Sequence, residues 1–169
     1  MRTHLQRVLV LAAALLGCIA AHRATQFETM AERDNAEIRS FVPTDAALHA
    51  YFAATRALQS EVSRDALVSK DCGEMNRAQS DEGLTTLRRS LTAHPRCYAF
   101  FRRRGLEERE TGIWMTLVFW MSQYAMQPDQ VAPLEVLSEP QARFAQRHRA
   151  EFDAFMRQFA GRSDTDQDD

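Results

Sequence analysis

From Ile113 to Met121 the chain reads Ile-Trp-Met-Thr-Leu-Val-Phe-Trp-Met, with no charge and one polar side chain, Thr116. A helix without a polar face needs cover on every side, so this segment belongs at the centre of a bundle. The charge-free stretch to Met126 is about 14 residues, short of the roughly 20 that cross a bilayer. The rest of the chain must therefore supply the cover. With 169 residues, 45% of them hydrophobic, it has enough for the core of one domain. No alternating β-branched run or Asn-Gly turn marks a strand. The fold class expected is all-α, a single bundle of four to five helices.

Periodicity places those helices. Residues 25–40 carry Phe27, Met30, Ala31, Ile38 and Phe41 near one face, and Pro43 closes them. Thr44 then reads as an N-cap with Asp45 in the first turn. Leu48, Tyr51, Phe52, Thr55, Leu58, Val62 and Ala66 continue one stripe to about Ser69, with Gly73 as the stop. Ser80, followed by Asp81 and Glu82, opens a third helix lined by Leu84, Leu87 and Leu91 and ended by Pro95. The fourth runs from Leu106 to Gln127. The last starts at Ser138-Glu139-Pro140-Gln141, which has capping-box spacing, and ends at Gly161. Its inner face is Ala145, His148, Phe152, Phe155, Met156 and Phe159. The acidic tail, residues 162–169, has the composition of a disordered segment.

Arg2 and Arg7, the apolar run Val8–Leu16 and then Gly17-Cys18 have the three-part layout of a secretory signal. Leu15-Leu16-Gly17-Cys18 resembles the bacterial lipobox, with Leu16 where a small residue is more usual. The resemblance implies cleavage before Cys18, acylation of its thiol, and a membrane anchor of several acyl chains. Each buried CH₂ adds about 0.8 kcal/mol to such an anchor. Ile19 stands where inner-membrane lipoproteins often carry Asp, so the resemblance favours an outer-membrane lipoprotein facing the periplasm. Residues 1–17 are then the signal peptide, 18–26 a tether and 27–161 the helical domain. The alternative is an ordinary signal peptide cut after Ala20 or Ala21, which gives a soluble periplasmic or secreted product.

Cys72 and Cys97 remain as a pair. In an exported chain a pair reads as a disulfide. The competing reading is a catalytic Cys97 activated by His94 and Arg96, because nearby positive charge lowers a thiol pKa. An oxidising compartment with a second cysteine favours the bond.

Formal net charge is -2, and loss of Arg2 and Arg7 with the signal leaves about -4. That balance argues against a general nucleic-acid binder. His49, His94 and His148 are scattered, with no HExxH. Asp45 with His49, and His148 with Glu151, are helical neighbours, but each pair offers two ligands where zinc needs three or four. Met30 and His148 loosely resemble the axial ligands of four-helix b-type cytochromes; the length and the cysteine pair do not match. No GxSxG, Ser-x-x-Lys or phosphate-cradling glycine motif occurs. Glu61 and Glu74 are available for a carboxylate pair, whose chemistry depends on their separation. No catalytic residue, metal ligand or cofactor is therefore assigned.

Arg96, Arg102, Arg103 and Arg104 lie beside Tyr98, Phe100 and Phe101. Guanidinium forks match phosphates and carboxylates, so these four are the candidate partner-binding residues. The bland alternative is a solvated turn neutralised by Glu107, Glu108 and Glu110. The functional expectation is a non-enzymatic envelope accessory module that binds a protein partner, of inhibitor, immunity, pilot or chaperone type. Two alternatives are an apolar ligand carrier with a cavity around Trp114, Met115, Trp120 and Met126, and a small cell-wall hydrolase.

Overall fold

The computed structural model describes residues 32–78, 83–127 and 137–160. The signal, the tether and the acidic tail lie outside them. Among the described residues there are eight helices and no strand: α1 Glu32–Ser40, α2 Asp45–Val62, α3 Ala66–Ala78, α4 Gly83–Ala93, α5 Pro95–Arg102, α6 Glu108–Met126, α7 Glu139–Arg147 and α8 Arg149–Ala160. The all-α class and the bundle stand. The count of four to five helices does not, because expected helices are divided and one expected connection is itself helical.

The first division falls at Ser63-Arg64-Asp65. The Ser63 hydroxyl donates to the Ser60 carbonyl, and the Asp65 carboxylate accepts the N–H groups of Leu67 and Val68 at 2.7 and 3.3 Å. Side-chain bonds to the local backbone thus end α2 and start α3. Gly73 does not stop a helix. A glycine in a helix interior costs about 1 kcal/mol, which burial of Cys72 and Met75 on either side outweighs. The second division falls at His148, between α7 and α8. The capping box at the start of α7 is present, with the Ser138 N–H donating to Gln141 Oε1 at 2.9 Å. The expected N-cap Ser80 lies outside the described residues.

Pro95 does more than close α4: it is the first residue of α5, where its missing N–H is no loss. The aromatic and basic segment therefore begins as a helix, not a turn.

α6 is the hub and packs against α4, α7 and α8. Its Ile113, Trp114, Leu117, Met121 and Ala125 are completely buried. Met115, Val118, Trp120 and Tyr124 are only partly covered, so the helix is apolar all round but buried on one side. Trp114 meets Phe41, Tyr51 and Phe144 at centroid distances of 5.8, 6.0 and 6.3 Å. Phe52 stacks on Phe155 at 4.0 Å and meets Phe152 edge-on at 5.6 Å. No described helix is long and apolar enough to cross a membrane.

Polar side chains lock the outer helices to this core. Asp34, buried on α1, accepts the Leu84 N–H at 2.9 Å and so caps α4 from 50 residues away. Glu37 pairs with both Arg88 of α4 and Arg109 of α6. Gln141 of α7 donates to the carbonyls of Ile38 and Phe41 at 2.6 and 2.9 Å.

Candidate functional site

α5 is a short helix fixed at its amino end from two directions. Cys97 is joined to Cys72 of α3, with Cα atoms 5.2 Å apart. The cysteines lie inside α3 and α5, and the loop between them encloses all of α4. Asp71, the neighbour of Cys72, accepts the N–H groups of Arg96 and Cys97, each at 2.9 Å. Its other oxygen lies 3.2 Å from His94 Nδ1. The free N–H groups at a helix start attract anions, and here a carboxylate of the protein fills that role. Cys97 is fully buried. The activated-thiol reading lapses, because its sulfur is bonded and enclosed.

Cys97 and Phe101 point α5 into the core. Arg96, Arg102 and Arg103 are exposed on the outside. At about 100° per residue, Arg96, Phe100 and Arg103 share one stripe. The Arg103 guanidinium lies 5.9 Å from the Phe100 ring centroid, within cation–π range. Arg104 differs: its Nη1 donates to the Phe100 carbonyl at 2.9 Å, so it serves the helix end. None of the four lies within ion-pair distance of a carboxylate among the described residues, while Glu107 and Glu108 share the surroundings of Tyr98 with Arg102. Arg102 lies off that stripe, on the side of Tyr98. Burial, together with Glu108 and Glu107, raises the Tyr98 hydroxyl pKa, and Arg102 opposes them.

A second cluster forms where α2 meets α8. His148 places Nδ1 2.6 Å from Glu151 and Nε2 3.1 Å from Asp45, and His49 Nε2 lies 2.7 Å from the other Glu151 oxygen. The two helical-neighbour pairs read from sequence are thus one chain of four groups. Both ring nitrogens of His148 face carboxylates of the protein, so neither is turned toward open space where a substrate or metal would sit. The ring also stacks on Phe144 at 4.3 Å. The hydrogen bond from His148 holds the Glu151 carboxyl below the usual carboxylate range, with His49 adding to it. Among the described residues no group of three or more His, Cys, Asp or Glu side chains is arranged to hold a metal ion.

Glu61 and Glu74 stand on α2 and α3, and Glu74 faces Lys70 at 3.9 Å. Trp114 is completely buried among aromatic rings, whereas Met115, Trp120 and Met126 are partly covered. Met30 and Cys18 lie outside the described residues. Asp34, Glu37 and Asp71 escaped sequence reasoning. Their only signals were acidic residues one turn from apolar anchors, a pattern most surface helices share. No family model, curated protein or solved structure matches this chain.

Proposed function

We propose that the protein is exported, carries a lipid anchor at Cys18, and acts in the bacterial cell envelope as a non-enzymatic module that binds a protein partner. The observation that carries the binding half is the outer face of α5. Three exposed arginines without an ion-pair partner among the described residues, Arg96 and Arg102 in α5 and Arg103 at its C-cap, stand on a helix pinned by a disulfide and an aspartate cap. A pinned helix loses little further freedom on binding, which lowers the cost of association. The export half is supported by Met1–Cys18 and by the Cys72–Cys97 bond, which suits an oxidising compartment.

The test is affinity capture from envelope extracts with the wild-type chain and with an R96E/R102E/R103E variant. The expected result is a defined protein recovered by the first and lost with the second. Equal recovery by both contradicts the reading.

A further inference from the structure

The geometry points to an acidic amphipathic protein segment as the ligand of α5, with two carboxylates flanking one apolar side chain. This rests on the binding reading above and specifies its partner.

Three features select that chemistry. Arg96 and Arg103 are seven residues apart, about 10 Å along the helix axis. That spacing matches two carboxylates one heptad apart on a facing helix. Between them lies Phe100, half-buried and next to Arg103. The part of Phe100 left uncovered suits an apolar contact. The third feature is the amino end of α5, where a phosphate would otherwise find backbone N–H donors. Those of Arg96 and Cys97 already bond Asp71.

A bilayer surface fits less well. Its headgroups would meet the arginines, but the one apolar side chain of the stripe, Phe100, is half-buried and too covered to insert into a bilayer. Val42 and Leu67, the exposed large apolar side chains among the described residues, lie on other segments. The partner segment is then a helix with two acidic residues one heptad apart and a leucine, isoleucine or phenylalanine one turn after the first of them. Its carboxylates take the Arg96 and Arg103 guanidinium forks, and its apolar side chain covers Phe100. Arg102, off the stripe on the side of Tyr98, adds charge without setting register.

The test uses the full chain as isolated from cells. It is titrated with a synthetic alanine-rich helical peptide bearing two glutamates one heptad apart and a leucine one turn after the first. A scrambled peptide of the same composition and phosphatidylglycerol vesicles are titrated alongside. Expected are saturable binding of the ordered peptide, at least tenfold weakening in R96A/R103A, and no change in R39A, which removes an exposed arginine of α1. Added salt should weaken the binding. Equal binding of the scrambled peptide, indifference to R96A/R103A, or vesicle binding through these arginines without peptide binding overturns the proposal. If the peptide fails while envelope capture still depends on the arginines, the acidic amphipathic partner falls and the binding module stands. If capture is also indifferent, both fall.

Discussion

Asp71 accepts the backbone N–H of Cys97 at 2.9 Å, while the next residue of its own helix, Cys72, holds the sulfur of that same Cys97. Consecutive residues of α3 thus grip one residue of α5 by backbone and side chain. The arginine face gains a fixed orientation in this way, since α5 has only eight residues. A helix that short does not hold itself in water.

Asp71→Ala should therefore cost about 2 kcal/mol, since two helix-start N–H groups lose their acceptor. Asp71→Asn should keep part of that, because an amide oxygen still accepts. Urea denaturation of the three proteins measures it. An unchanged Asp71→Ala midpoint would remove the cap from the account.

Replacing both cysteines, C72S/C97S, should lower stability by about 3.5 kcal/mol on the chain-entropy estimate for a loop of this length. Wild type treated with reductant under denaturing conditions should show the same loss. Denaturation with and without reductant is the check.

Protonation should loosen the seam between α2 and α8. The folded state holds the Glu151 pKa below its ordinary value through His148 and then His49. Its contribution is therefore present above the unfolded carboxyl pKa, near about 4.3, and is lost as pH falls through the folded value. Wild type should exceed Glu151→Gln in stability at pH 7, and the gap should close on acidification. A gap independent of pH would show that the cluster does not act through the Glu151 charge.

Gly83 has φ of +68°, and a Cβ there would lie 2.7 Å from Asp34 Oδ2. Gly83→Ala should cost about 2 kcal/mol, from the left-handed backbone and from displacement of the Asp34 cap on α4. Thermal unfolding measures it, and a neutral substitution would mean that α4 starts without that cap.

What the sequence announced and what it withheld divide along a physical line. The burial of Trp114, the Thr44 cap with its side chain accepting from Ala47 N–H, and the Ser138–Gln141 box are local or periodic, and each is in place. The cysteine pairing followed from parity and compartment. Withheld were interactions between residues far apart in the chain, such as Asp34 with Leu84 and His148 with Asp45, 103 positions apart. The break at Ser63 was readable in principle, since Asp65 is a good N-cap. The apolar stripe running through it concealed the signal. The arginine cluster was visible as composition. Only its placement separated Arg104, bonded to Phe100, from the outward Arg96 and Arg103.

Most rests on the chain working beyond the cytosol, and an intact-mass measurement of the cell-derived product, alkylated without reduction, addresses that most directly. A chain beginning at Cys18, heavier by its acyl groups and with neither Cys72 nor Cys97 alkylated, is the result expected. A product retaining Met1 and taking alkyl groups on both thiols would contradict export, the disulfide and the envelope partner at once.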